Sequence, residues 1–564
     1  MMQARWLLAA ALVALAGPGA VVPALAQTAA QTAAQTAAPA QAGPPRGRGD
    51  YQATLLVWDE FLRWRGGWAA RTPDWSAAGM AQERAAMAGF LARMQDMNVA
   101  AMDRGQRAEW LAARAKMLEH QFLIDVAKPW ERDPGFYVDK LLDIGFAELP
   151  ASGAALARLK TRLADVPRLT AVARTNLRNV PGDYADLALH NLDTADGVGH
   201  GHPYRPVPPA GVLGWLDDLA SRAAKQQPEL LPQIHAARAA TADFQAWLKA
   251  GRPAMTASAG VGKARFDWYL KNVKLLPYTS DQLLVLGARE TQRLWSIHAL
   301  EEHRNRNAPP LTLPTTAADY QARKDKSLAL IRDWIAREQI ITVPDDIGDL
   351  YINVPWIVRP QGPNFWEQVQ YRDPTPDLLH ATLPGHAFDG QMARRDTRPI
   401  RGRIGDGVRA EGWGVYLEEA AQRLGFMDDR PRLRELIDIF GIFRAVRVAG
   451  DIDLQLNRKS VAQVVADWQA WTPWLDRNVA RVDAEIYLRR PPGYGLGYTV
   501  GMIEMQKLLA DRRHQLGDKF ALKQFHDDFM AAGRMPFSVI RYDMTGLDDE
   551  VRHFWKTDPL PPAG

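Results

Sequence analysis

The sequence of 564 residues contains no cysteine. Disulfide bonds are therefore excluded, which fits an exported domain large enough to be held together by its hydrophobic core. The lipid modification of lipoproteins is excluded as well, because it requires a cysteine at the cleavage point. Hydrophobic residues make up 47% and charged residues 24%, values typical of a soluble globular protein.

An excess of charge of one sign is also missing. The chain has 69 Lys and Arg against 65 Asp and Glu, a net charge of +4, and removal of the N-terminal segment described next lowers this to +3. Such a small surplus over more than 500 residues does not form the basic surface of a nucleic-acid binder. Nucleic acid is therefore not expected as a partner.

Long hydrophobic runs are scarce, apart from one near the N-terminus. Residues 1–26 combine a charge at Arg5, an apolar run over 6–17 and the sequence Ala-Leu-Ala at 24–26. The order predicts a cleaved signal peptide, since the run is too short to span a bilayer. We expect a periplasmic or secreted protein without a membrane span after cleavage.

The predicted mature chain begins with low-complexity sequence. Residues 27–38 repeat Gln-Thr-Ala-Ala, and a stretch rich in Pro, Gly and Arg follows to residue 50. Such composition predicts a flexible linker over 27–50. Residues 51–564 are then expected to form a single large domain.

Hydrophobic spacing in this domain predicts a mainly α fold. Apolar residues recur every three or four positions in many segments, for example Met87–Met97, Trp110–Ile124, Leu156–Leu163, Leu169–Leu177, Leu230–Lys249, Ser280–His303 and Ala317–Arg337. Two short β-branched segments, Gln339–Val343 and Asp349–Val354, are predicted as strands.

One constellation of residues carries recognisable chemistry. His380 and His386 are followed by Glu411 on a predicted helix, the ligand types of a His₂Glu zinc site that keeps one position open. Residues six apart on a straight helix do not face one ion, so a kink at Pro384-Gly385 is required. Two buried histidines without a metal remain the alternative.

The same segments resemble a known family. The chain reads DLLHATLPGHAFDGQ at 377–391, RAEGWGVYLEEAAQRLG at 409–425, and related motifs at 176–181, 444–456, 485–508 and 516–540. These resemble the bacterial domain-of-unknown-function family 885, which is grouped with the gluzincin-like zinc metallopeptidases. The resemblance implies a helical metallopeptidase-like fold with a few short strands, zinc as cofactor, and a peptide or small peptide-like substrate.

Departures from the family pattern imply a degenerate member. Ala381 stands where the family has a Glu, Ala387 where it has a second His, Asp389 where it has a Gln and Gln455 where it often has a His. The missing Glu is the general base that takes a proton from water. Three interpretations remain open, and they are a hydrolase with a substitute base, a pseudopeptidase that only binds peptides, and metal-assisted chemistry other than hydrolysis.

Further residues are candidates for catalysis. Asp389 or Glu418 could replace the missing base, because each falls on the helix face of a candidate ligand. Tyr498 could polarise a substrate carbonyl, or could be a packed core residue.

Three more residues are candidates for substrate binding. Arg444 and Arg447 could clamp a substrate carboxylate. A buried ion-pair network with Asp451 and Asp453 is slightly favoured for the two arginines. His526 could contact substrate, although packing between helices is favoured for it.

Overall fold

Helices provide the regular structure of the residues described by the computed structural model, which are 43–194, 205–348, 350 and 355–562. The N-terminal helices are α1 (Tyr51–Gly66), α2 (Trp68–Arg71), α3 (Ala77–Gln95), α4 (Arg104–Phe122), α5 (Pro129–Arg132), α6 (Gly135–Leu142), α7 (Gly153–Asn176), α8 (Gly182–Asp193), α9 (Gly211–Gln226), α10 (Leu231–Gly251), α11 (Lys263–Asn272), α12 (Ser280–Arg304) and α13 (Ala317–Arg337).

The C-terminal helices are α14 (Phe365–Arg372), α15 (Thr375–Asp377), α16 (His386–Arg395), α17 (Gly407–Arg423), α18 (Leu433–Gln455), α19 (Val461–Trp471), α20 (Arg477–Arg489), α21 (Gly497–Leu516), α22 (Leu522–Ala531) and α23 (Phe537–Thr545). Two π-helical turns, Leu123–Ala127 and Leu378–Thr382, interrupt the α-helical pattern. The prediction of a mainly α fold is confirmed.

Side-chain caps fix where several helices begin. Thr279 accepts a hydrogen bond from the backbone of Gln282, whose side chain binds back, and Ser460 and Gln463 repeat this capping box at α19. These caps satisfy backbone N–H groups that lack a partner within the helix. The predicted helices at 280–303 and 317–337 are confirmed almost to the residue.

Two predicted helices are one in the structure. Leu156–Leu163 and Leu169–Leu177 both lie within or at the end of α7, which continues through Pro167. A proline removes one helix hydrogen bond. Burial of Leu163, Val166 and Leu169 on the two sides of the proline keeps the helix continuous.

The strand predicted at Gln339–Val343 is wrong. No β-strand occurs in the described parts of the chain, where only isolated bridges pair Gly49 with Met97 and Pro181 with Ala257. Ile340 and Ile341 are buried as the pattern suggested. Their backbone, however, meets side chains of α22 rather than a neighbouring strand, since His526 binds the Ile340 carbonyl.

Some predictions concern residues beyond the described part of the chain. The signal peptide at 1–26, most of the linker at 27–50 and, except for Leu350, the strand at Asp349–Val354 lie outside the described residues. The end of the predicted linker is described, and its backbone is hydrogen-bonded to residues 96–100. Hydrogen bonds to the rest of the domain therefore begin a few residues before Tyr51. Their partners lie in the turn after α3.

Two pairs of long helices build the region that holds the candidate site. α18 packs along α12, and α17 packs along α21. Gly412 and Gly501 touch where α17 and α21 cross, and a side chain on Gly412 would lie 2.3 Å from the Gly501 backbone. The glycines thus allow the two backbones to approach closely. Among the described helices, none is both long and apolar enough to cross a membrane.

Candidate metal centre

The chain bends between the two candidate histidine ligands, as the sequence requires. His380 lies in the π-helical turn Leu378–Thr382, and His386 begins α16. Pro384 and Gly385 separate the two, and the Pro384 carbonyl accepts a hydrogen bond from Trp413 on α17. The two histidines therefore approach from separate elements, and the predicted kink is present.

His380, His386 and Glu411 converge on one point. Oε2 of Glu411 lies 3.4 Å from Nε2 of His380 and 3.2 Å from Nε2 of His386. One ligand atom from each of the three residues lies within 4.8 Å of the others. A tetrahedral zinc with bonds of about 2.0–2.2 Å separates its ligands by about 3.3–3.6 Å. The donor atoms thus have the chemical types and nearly the spacing of a zinc site.

The space for the His380 ring depends on a small residue in α17. A Cβ atom added to Gly414 would lie 2.6 Å from Nδ1 of His380. The two rings of His380 and His386 meet edge to face with centroids 4.6 Å apart. Glycine at this position lets the histidine lie against the helix that carries Glu411.

A second carboxylate orients His380. Nδ1 of His380 lies 2.9 Å from Oε1 of Glu418 and 3.2 Å from the guanidinium of Arg444, which is itself paired with Glu418 at 2.5 Å. A guanidinium N–H can only donate to Nδ1, so if Nδ1 carries the proton, as binding of a metal by Nε2 requires, the carboxylate of Glu418 is the partner that can accept it. The lone pair on Nε2 then faces Glu411, an arrangement typical of metal-bound histidines.

The electrostatics of the cluster favour a cation at its centre. Burial would lower the pKa of His380, but hydrogen bonds to Glu411 and Glu418 outweigh it and hold this pKa above the ordinary value. Burial likewise opposes ionisation of Glu411, yet the two histidines bring its pKa well below the usual range. Two nitrogen lone pairs and a carboxylate cannot converge without a proton or a metal between them.

Two tyrosines line the same cluster. Tyr494 donates a hydrogen bond of 3.0 Å to Oε1 of Glu411, and the ring of Tyr498 stacks against His380 with centroids 6.4 Å apart. Burial and the Glu411 charge raise the pKa of both phenols, to about 12 for Tyr494. Both therefore remain hydrogen-bond donors at neutral pH.

Tyr494 was not predicted, although the sequence contained a signal for it. Tyr494 and Tyr498 are four residues apart within the glycine-rich segment 493–498. Tyr494 precedes α21, so the signal is its nearness in the chain to Tyr498, whose ring centroid lies 6.0 Å from that of Tyr494.

Asp389, a candidate base, lies in another cluster. One of its oxygens is 2.6 Å from Arg409 and the other 3.2 Å from Arg534, and its side chain is almost completely buried. Glu418 is also engaged, by His380 and Arg444. Glu418 thus contacts a candidate metal ligand, His380. Asp389 instead forms ion pairs with two arginines.

The arginines on α18 form buried ion pairs, as favoured, but with other partners than expected. Arg444 pairs with Glu418, and Arg447 pairs with Asp483 at 2.5 Å. Asp451 instead accepts a backbone hydrogen bond from Leu496. The expected pairing with neighbours on α18 fails because the arginine side chains point across to α17 and α20.

The last expected partner, Asp453, pairs with Lys459, just beyond the end of α18.

His526 is used for packing between helices. Its Nε2 lies 2.8 Å from the Tyr416 hydroxyl and its Nδ1 2.8 Å from the Ile340 carbonyl. Burial lowers the pKa of His526 to about 4, so the ring is neutral. Both ring nitrogens thus contact uncharged groups of the protein.

Solved structures resemble the chain over most of its length. A proposed lipoprotein of unknown function from Shewanella oneidensis matches with a TM-score of 0.65 and 16% identity, covering 87% of this chain and 99% of that one. A proposed lipoprotein from Colwellia psychrerythraea matches with a TM-score of 0.65 and 15% identity, covering 87% and 97%. At these identities the likeness establishes the fold.

A comparison of sequences identifies the family. No curated protein matches the chain. The family described as "Bacterial protein of unknown function (DUF885)" matches residues 61–300 and 370–544, which include the three candidate metal ligands. Because the match spans well over half of the sequence, the chain belongs to this bacterial family of unknown function.

Proposed function

We propose that the protein is an exported, zinc-binding, metallopeptidase-like protein that acts on peptides or small peptide-like substrates with reduced or altered hydrolysis. The convergence of His380, His386 and Glu411, with two separations of 3.2 and 3.4 Å, is the observation that carries the proposal. Bound zinc would supply Lewis-acid chemistry, by polarising a substrate carbonyl and making water more acidic.

The residues around the cluster have distinct roles in this proposal. Glu418 accepts the Nδ1 proton of His380 and keeps Nε2 directed at the metal. Tyr494 fixes the Glu411 carboxylate. Tyr498 lies beside His380 as a protonated phenol, in a position to donate a hydrogen bond to a substrate carbonyl oxygen.

A general base is the missing component. Ala381 directly follows His380 in the π-helical turn and has no proton acceptor in its side chain. Asp389 is held by two arginines, and Glu418 is held by Arg444 and His380. Despite burial, Arg444 and His380 hold the pKa of Glu418 below its ordinary value, which makes it a poor base. Both oxygens of Asp389 already contact guanidinium groups. We therefore expect slow peptide hydrolysis.

Restoring the base tests the proposal. In the zinc-loaded protein, Ala381→Glu is expected to raise hydrolysis of a library of short peptides by about 10²–10⁴-fold. The matched control is Ala387→Glu, which places the same carboxylate one residue after His386 and is expected to leave the rate unchanged. Equal rates for both variants and the wild type would contradict the proposed role of position 381.

A substitute base is tested by removing each candidate carboxylate. Asp389→Asn and Glu418→Gln are measured for whatever hydrolysis the wild type shows. Loss of activity in Asp389→Asn would make Asp389 the base despite its arginine partners. Strong wild-type cleavage that survives both substitutions would show that neither carboxylate is the base and would refute the proposed defect.

A pseudopeptidase is the second candidate. Asp389 and Glu418 are both paired with arginines, so the centre would bind peptides without a carboxylate to activate water. In that case the zinc-loaded wild type binds peptides and releases them uncut, and Ala381→Glu is inactive. Mass spectrometry of peptides after incubation separates this result from slow turnover.

Export is supported by the predicted signal peptide and agrees with the description of the structural neighbours as proposed lipoproteins. N-terminal sequencing of the mature protein is expected to begin at residue 27. A mature protein that begins at residue 1 would overturn this part of the proposal.

A further inference from the structure

A second site lies beside the metal centre, in a cavity of about 220 Å³ enclosed by α12, α17, α18 and α21. The cavity shares Glu418 with the metal centre but is otherwise lined by different residues. Its apolar walls are Leu294, Ile297, Val415, Ile437 and Met502.

Asp438 faces this cavity and lacks a counter-ion. Its side chain is 3% exposed, and its Oδ2 has no hydrogen-bond partner among the described residues. Gln422 hydrogen-bonds the carboxyl group, and the nearest basic atom, Nδ1 of His298, is 4.0 Å from Oδ2. A buried carboxyl group that is not paired is costly unless a ligand or a proton satisfies it.

The arginines of the cavity are already compensated. Arg293 binds Glu419 through both of its terminal nitrogens, and Arg423 binds Glu419 at 2.6 Å. Arg434 pairs with Glu301 and with Asp428. None of these cations contacts Asp438, which is therefore the one carboxylate of the lining without an ion pair to an arginine or lysine among the described residues.

The lining residues differ widely in exposure. The Arg423 side chain is 68% exposed, whereas that of Asp438 is 3% exposed. Burial, together with the nearby charges of Glu301 and Glu419, raises the pKa of Asp438 to about 7. Because the other carboxylates of the lining are paired with arginines, Asp438 is the group of the cavity that can attract a cation.

We propose that this cavity binds the alkylammonium end of a ligand, such as a lysine side chain, with the ammonium group on Asp438 and the alkyl chain between the apolar walls. The combination of apolar walls and one buried acid without an ion pair favours an aliphatic cation over an anionic ligand. The site is independent of zinc, so its existence does not depend on the function proposed above.

The test compares two ligands of similar shape, n-butylammonium chloride and n-butanol. The full chain is treated with EDTA so that the amine has no metal to bind, and methionine methyl groups are labelled with ¹³C. Met502 lines the cavity, and its NMR signal is assigned with Met502→Leu. We expect a saturable shift of this signal, with butylammonium bound about tenfold or more tightly than butanol because only the cation gains a charge-assisted hydrogen bond.

The role of Asp438 is tested by Asp438→Asn, which is expected to remove the preference for the amine while butanol binding is retained. Asp453→Asn is the matched control, since it removes the same charge from α18 at a residue paired with Lys459. Equal affinities of the two ligands for the wild type, an unshifted Met502 signal, or a preference that survives Asp438→Asn would overturn the proposal.

If Asp438→Asn does not fold, the wild-type ratio of amine to alcohol affinity decides by itself. A protonated Asp438 with only a structural role predicts a ratio near one. Because zinc is absent throughout, a negative result here leaves the proposed metal centre standing, and loss of zinc binding in other variants leaves this site standing.

Discussion

Glu411 and Asp389 are two buried carboxylates that each lie between two basic side chains, with different consequences. Glu411 lies between two histidine rings, and Asp389 lies between Arg409 and Arg534. Arginine does not lose its proton in proteins, so its ion pair with Asp389 is permanent. Histidine can be deprotonated near neutral pH and then offers a lone pair to a metal.

The nature of the basic partner thus decides what each carboxylate can do. The Asp389 cluster balances charge inside the fold. The Glu411 cluster presents three donor atoms to a common point and, in the function proposed above, exchanges a proton for a metal. The predictions below test this contrast, in order of decreasing expected effect.

Loss of a ligand is expected to have the largest effect. His380→Ala removes one of three donors, so zinc affinity should fall well beyond the about 10–100-fold that loss of an outer hydrogen-bond partner costs. Calorimetry in competition with a chelator measures the change. The control is His303→Ala, an exposed histidine on α12. Wild-type affinity in His380→Ala would remove the proposed centre.

Asp389→Asn is expected to act on stability alone. The substitution leaves Arg409 buried without a full counter-charge and should lower the free energy of unfolding by about 3–5 kcal/mol. Zinc affinity should stay within about twofold. Urea denaturation measures the first quantity, and Asp429→Asn, at a side chain that is 81% exposed, serves as control. A fall in zinc affinity instead would place Asp389 in the metal centre.

We expect His526 to make the protein less stable as the pH falls. Burial lowers its pKa to about 4, while the unfolded chain has a value near 6.5. Between these values the unfolded state binds more protons, so stability falls as pH decreases from about 6.5 to 4, by up to about 3 kcal/mol. His526→Gln should flatten this part of the curve of melting temperature against pH. An unchanged slope would contradict a neutral, buried His526.

Glu418→Gln is expected to weaken zinc binding by about 10–100-fold, since the neutral amide supports the His380 tautomer less well than the carboxylate. The substitution also leaves Arg444 without its partner, so stability is measured in parallel. Glu419→Gln, at the next position of α17, is the matched control for charge. Equal zinc affinities of the two variants would show that Glu418 does not orient the ligand.

Tyr494→Phe is expected to have the smallest effect. It removes one hydrogen bond to Glu411, worth about 0.5–1.5 kcal/mol, and should weaken zinc affinity by about two- to tenfold. Tyr278→Phe removes a comparable bond to Glu504 and should leave zinc affinity unchanged. A larger loss than in Glu418→Gln would mean that Tyr494 itself approaches the metal.

The sequence by itself determined most of the helices and which residues are candidate metal ligands. Helical spacing with side-chain caps, as at Thr279 and Thr316, is a local property, so the bounds of α12 and α13 follow from residues near them in the chain. The motif around His380 and Glu411 likewise indicated a candidate metal site, because histidine and glutamate are common zinc ligands. The sequence also showed that residue 381 cannot act as a general base, because this depends only on the identity of one side chain.

Only the tertiary structure decided which charges meet. Arg444 and Arg447 find Glu418 and Asp483 on other helices rather than their neighbours on α18. The β-branched segment at 339–343 meets α22 rather than a strand, for the same reason. Ion pairs and strand pairing join residues far apart in the chain, and their choice depends on helix crossings such as that of Gly412 on Gly501, which no local pattern encodes.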